Sequence, residues 1–118
     1  MRYLRREHGH VPHLELTFVE AIAIARQYGG VTSWAHPPVD AFIRHIEEFA
    51  AAGLHGVEAL RPGVNRTARR TYKKACKRYA LFPTGGSDWH GWSRPQDLGL
   101  YSVRKHELSG FTEVLWAA

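Results

Sequence analysis

The sequence predicts a parallel α/β fold in which short strands alternate with amphipathic helices. Three observations predict it: apolar residues recur at helical spacing in successive segments, a short β-prone run follows each segment, and Gly or Pro punctuates the junctions. Alternation of this kind favours right-handed crossovers and gathers reactive groups beyond the carboxyl ends of the strands.

The elements follow in order. Thr17 with Glu20 three residues later is a capping-box pattern, so a helix is expected to start there, with Phe18, Ile22, Ala25 and Tyr28 as its apolar stripe and Gly29-Gly30 at its end. Val31-Thr32-Ser33-Trp34-Ala35 reads as a strand stopped by Pro37-Pro38, which puts His36 at its carboxyl end. Phe42, Ile43, Ile46, Phe49 and Ala50 mark a second helix ending at Gly53, and Leu54 to Leu60 reads as a second strand with Glu58 near its end. A third helix places Ala68, Tyr72, Ala75, Cys76 and Tyr79 on one face, and Ala80 to Thr84 reads as a third strand in which Pro83 would be awkward at a central position. In the tail, Leu98 to Val103 has strand character, and Phe111 to Trp116 suits either a short helix or a strand.

At 118 residues and 44% hydrophobic content the chain is expected to form one domain, residues 1–118, with a real core. No apolar run is long enough to span a bilayer, and Met1 to Arg6 is not followed by the apolar stretch of a signal peptide, so a cytoplasmic protein with no membrane partner is expected. A single cysteine, Cys76, excludes an internal disulfide and reads as structural. Much of the net charge of +5 sits on the third helix, where Arg66, Arg69, Arg70, Lys73, Lys74, Lys77 and Arg78 stand with no acid among them. A solvated outer face is the expected role, with nucleic-acid binding as a weaker alternative because no aromatic platforms accompany the charge.

The chemistry is concentrated in Asp88-Trp89-His90. A carboxylate and an imidazole two residues apart reach one divalent ion from a tight turn after a strand, and Gly85, Gly86 and Gly91 give the backbone room to fold around a site. His36-Pro37 ends another strand of the same layer and adds a third candidate ligand.

The ordered set of Gly29-Gly30-Val31 leading to Ala35-His36-Pro37, then Gly56-Val57-Glu58, then Gly85-Gly86-Ser87-Asp88-Trp89-His90-Gly91 resembles the later motifs of PHP (polymerase and histidinol phosphatase) domains. The branch it is most similar to comprises small phosphoesterases acting on nucleoside bisphosphates and RNA ends, and the likeness runs from about Tyr3 to Val103. The resemblance implies the carboxyl-terminal part of a distorted (β/α)7 barrel with a cluster of divalent ions: zinc, manganese or iron. It implies that His36, Asp88 and His90 are metal ligands, with Asp88 and His90 carrying the catalytic role. Glu58 matches the rim of the pocket, where a contact to substrate or to a ligand residue is implied rather than direct ligation; Arg61 and Ser87 suit phosphate oxygens.

The family opens with an H-x-H strand end, further histidines and a bridging carboxylate, and the quoted motifs begin after these. His8-Gly9-His10 with His13 superficially resembles H-x-H, yet it follows Arg5-Arg6-Glu7 and falls where the family has a connecting loop, so it is not expected to bind metal. His45 and His106 are expected at the surface and His55 packed in its strand. The implied protein is therefore a partial PHP domain lacking the N-terminal metal-binding motifs, with a single ion held by the retained ligands. Its expected activity is hydrolysis of phosphate esters, on nucleotides, nucleic-acid ends or other phosphorylated small molecules, dependent on a missing N-terminal half. The alternatives are a non-catalytic module that binds a metal or phosphate ligand, and a basic nucleic-acid-binding fragment. Uncovered sheet edges, with Trp34, Trp89 and Trp92 near the pocket, imply a homo-oligomer or pairing with the missing half.

Overall fold

The computed structural model describes residues 15–89, 99 and 101–117. The elements are α1 (Phe18–Gln27), β1 (Ser33–Trp34), α2 (Val39–Ala52), β2 (Gly56–Leu60), α3 (Arg66–Tyr79), β3 (Phe82–Gly85), a 3-10 turn (Lys105–Glu107) and α4 (Ser109–Ala117). The strands form a parallel sheet in the order β1-β2-β3, alternating with helices as the sequence predicts.

Local chemistry sets the boundaries. The Thr17 hydroxyl accepts the Glu20 N–H while the Glu20 carboxylate accepts the Thr17 N–H, completing the expected capping box. Those bonds hold the Glu20 carboxyl below its ordinary range. Asn65 caps α3 by accepting the Ala68 N–H, and Gly53 ends α2 at φ 98°, a conformation glycine adopts without a Cβ penalty.

The core lies between the sheet and α2 and α3. Phe42, Ile46 and Phe49 from α2, and Ala68, Tyr72 and Cys76 from α3, bury against Trp34, Val57, Ala59 and Leu60. Phe42 meets the Tyr72 ring edge-on at 4.9 Å, and Trp34 packs on Phe49 at the same centroid distance.

Several expectations are corrected. Trp34 is buried beneath α2 rather than lining a pocket, because alternation along β1 turns it to the helix side with Val57. On α1 only Ile22 is buried; Phe18 stacks on Phe49 at 5.0 Å with its outer side left exposed at the rim of the core, and Tyr28 is exposed at the end of the helix. Ile43 is likewise exposed, one position off the buried stripe of α2. The strands are shorter than read: Val31–Thr32 and Leu54–His55 lead into β1 and β2 without joining them. Pro83 does pair with Val57, on a strand whose outer side has no partner strand among the described residues. Residues 101–103 are not strand, while 111–116 lie within α4.

Residues alternate across the sheet, so Ser33, Gly56, Glu58, Phe82 and Thr84 share the face away from α2 and α3. The Ser33 and Thr84 hydroxyls, on the two outer strands, meet at 2.8 Å across the central one. Strands two positions apart in a flat sheet are about 10 Å apart, so this contact requires the sheet to curl toward that face. α4 closes the start of the same face: Phe111 lies against Gly56 and Gly110 against the Phe82 ring.

Candidate functional site

The predicted site residues gather at the carboxyl edge of the sheet. His36 follows β1, Glu58 and Arg61 belong to β2 and the turn after it, and Ser87 and Asp88 follow β3. Because β2 is central, Glu58 stands between the strands that deliver His36 and Asp88. His90 and Trp92 lie outside the described residues, as do His8, His10 and His13.

His36 and Asp88 share an unusual backbone. His36 has φ 33° and Asp88 φ 55°, both in the left-handed region. For a non-glycine residue such a conformation costs roughly 1–3 kcal/mol and persists where surrounding contacts impose it. At His36 the restraint is visible: its N–H donates to Glu58 Oε2 at 2.7 Å. Pro37 is fully buried, and its carbonyl accepts the Tyr72 hydroxyl at 2.7 Å. The turn is thus held from the sheet on one side and from α3 on the other.

Arg61 joins this group. Its Nε lies 3.9 Å from Glu58 Oε2, beyond hydrogen-bond reach, and is buried without a hydrogen-bond partner among the described residues. Burial pushes the Tyr72 hydroxyl above its ordinary range, offset in part by the nearby Arg61 charge, so the phenol stays a proton donor to Pro37. Glu58 therefore contacts the peptide of His36, the candidate ligand residue. The part played by Tyr72 was missed. A tyrosine in place of phenylalanine on the buried stripe of α3 was the available signal, since a buried hydroxyl needs an acceptor.

The approach of sheet and loop explains Gly85. A Cβ there would clash with the Leu60 carbonyl oxygen, where the register between β2 and β3 is irregular. Gly86 then donates its N–H to that same carbonyl, fixing the start of the Ser87-Asp88 loop.

The remaining histidines serve elsewhere. His55 precedes β2, and its Nδ1 accepts the Thr32 N–H at 3.2 Å, tying the approaches to β1 and β2 together. His45 and His106 are exposed, as expected, and His45 stacks on Phe49. On α3 the expected basic face is present: Arg66, Arg70, Lys73, Lys74, Lys77 and Arg78 are exposed, while Arg69 donates to the Tyr101 hydroxyl.

Imidazole and carboxylate donors suit a divalent transition metal. Among the described residues, however, no three His, Cys, Asp or Glu side chains converge to hold one, so His36 and Asp88 supply part of a ligand set at most. No helix among those residues is long and apolar enough to cross a membrane.

No protein-family model matches the chain, and neither does any curated protein. Solved structures do. An inferred metal-dependent phosphoesterase from Bifidobacterium adolescentis superposes with a TM-score of 0.69 at 25% identity, covering 95% of this chain and 40% of that one. An amidohydrolase from Chromobacterium violaceum, solved with sulfate and without metal, superposes with a TM-score of 0.66 at 22% identity, covering 92% and 39%. The chain thus spans about two-fifths of the length of each. Its parallel α/β architecture is similar to part of these two folds.

Proposed function

We propose that the chain is the carboxyl-terminal portion of a metal-dependent phosphoesterase of the PHP kind, its curled sheet a segment of a distorted barrel wall. The observation that carries this is the superposition of 95% of the chain on the B. adolescentis protein. The position of His36, Glu58, Arg61 and Asp88 after or near the carboxyl ends of neighbouring strands of the same sheet supports it.

In this reading His36, Asp88 and His90 hold a divalent ion, zinc, manganese or iron. When bound, the ion supplies Lewis acidity and a water acidified enough to act as nucleophile. Arg61 and Ser87 hold phosphoryl oxygens, a task that a guanidinium fork and a hydroxyl suit. Glu58 and Gly85 fix the two loops between which a phosphorylated small molecule or nucleotide would lie. A second ion requires a bridging group from outside the described residues, supplied by an N-terminal half or a partner chain.

A second reading, a non-catalytic module binding a metal or phosphate ligand, is favoured by the lack of three converging metal-ligating side chains among the described residues. Phosphomonoesterase assays with manganese or zinc separate the two, run with and without an added amino-terminal segment carrying H-x-H. Turnover that appears with the added segment and disappears in the Asp88→Ala/His90→Ala variant supports the first reading. Turnover in neither preparation supports the second.

A further inference from the structure

We propose that Glu58 and Tyr72 are a matched pair of positioning residues for His36, gripping the His36–Pro37 turn from opposite sides so that the imidazole is delivered in a strained, left-handed conformation. This rests on the reading of His36 as a ligand residue.

The backbone of this turn is unfavourable twice over. A histidine at φ 33° lies in the left-handed region that L-residues other than glycine rarely adopt, and a residue before proline is biased toward extended backbone, which His36 does not adopt. Two bonds oppose the relaxation. The Glu58 carboxylate takes the His36 N–H at 2.7 Å, and the Tyr72 hydroxyl takes hold of the Pro37 carbonyl at 2.7 Å from a residue only 1% exposed. Glu58 side-chain exposure is 17%, and the charge is balanced by Arg61 at 3.9 Å. A largely desolvated carboxylate that, among the described residues, accepts one peptide N–H and faces an Arg61 charge beyond hydrogen-bond reach is a costly way to stabilise a fold. An extended residue at 36 and an apolar one at 58 would serve stability better, so the pair is explained by what it does to His36.

The test uses the isotope-labelled full chain and its Glu58→Ala, Glu58→Gln and Tyr72→Phe variants. Amide exchange and the HN–Hα coupling are read at His36, with Val57 and Ala59 as core controls. Glu58→Ala is expected to speed exchange at His36 about tenfold or more and to move its coupling away from the positive-φ value, with the controls unchanged. Glu58→Gln keeps a carbonyl acceptor and restores most of the protection. Tyr72→Phe speeds exchange at His36 although it touches only Pro37. Zinc affinity, read by chelator competition, falls about tenfold in Glu58→Ala and recovers in Glu58→Gln.

An unmoved His36 in Glu58→Ala, or an unchanged zinc affinity alongside a released His36, overturns the proposal. Zinc bound by no form of the chain, with the exchange pattern as expected, refutes the ligand reading of His36 and leaves the grip on the turn established.

Discussion

The peptide N–H of His36 and the carboxylate of Glu58 are joined at 2.7 Å, linking the turn that ends β1 to the central strand beside it. That bond holds a histidine where glycine would sit without strain. His36→Gly is therefore expected to raise stability by about 0.5–1 kcal/mol, against the usual trend for glycine, because it removes the left-handed penalty. Urea denaturation checks this; a loss above about 1 kcal/mol would show that the imidazole packs for stability.

Gly85 and Gly86 make a controlled comparison. A Cβ at Gly85 would press on the Leu60 carbonyl and Cβ, whereas one at Gly86 meets nothing within 4 Å among the described residues. Gly85→Ala is expected to cost about 2–4 kcal/mol and Gly86→Ala less than about 1 kcal/mol in chemical denaturation. Equal costs would mean that the close approach of β2 and β3 is not a constraint on the loop.

Cys76 predicts a pH dependence. Burial against the sheet raises its thiol from the ordinary 9.0 to about 11. The folded state thus holds a proton that the unfolded state releases, so the contribution is complete below pH 9.0, falls as pH rises through the window, and is gone above about 11. Urea midpoints measured across that range should decline more steeply in the wild type than in Cys76→Ala. Parallel slopes would place the thiol in contact with solvent.

The alternation of helix and strand was legible because the first three helices carry apolar stripes and the first two have boundary signals, as Thr17 and Gly53 illustrate. The placement of His36, Glu58 and Asp88 at one edge of the sheet followed from that alternation. What escaped was tertiary: burial of Trp34 depends on which face of a two-residue strand meets α2, and periodicity cannot decide that over so short a run. Exposure of Phe18 and Tyr28 depends on where α1 docks. The grip of Tyr72 on Pro37 spans 35 residues of sequence, and no local pattern encodes it.

Self-association is expected in solution. The outer edges of β1 and β3 have no partner strand among the described residues, and Phe18, Ile24, Tyr28 and Ile43 expose apolar surface on α1 and α2. Small-angle scattering over a concentration series should show mass rising with concentration; a monodisperse monomer throughout would contradict this.

The central claim is that His36, Asp88 and His90 form the retained part of a metal site. Elemental analysis of the purified chain beside the Asp88→Ala/His90→Ala variant tests it most directly. The account predicts about one equivalent of zinc, manganese or iron in the wild type and its loss in the variant. Absence of metal from both, or equal metal in both, would contradict it.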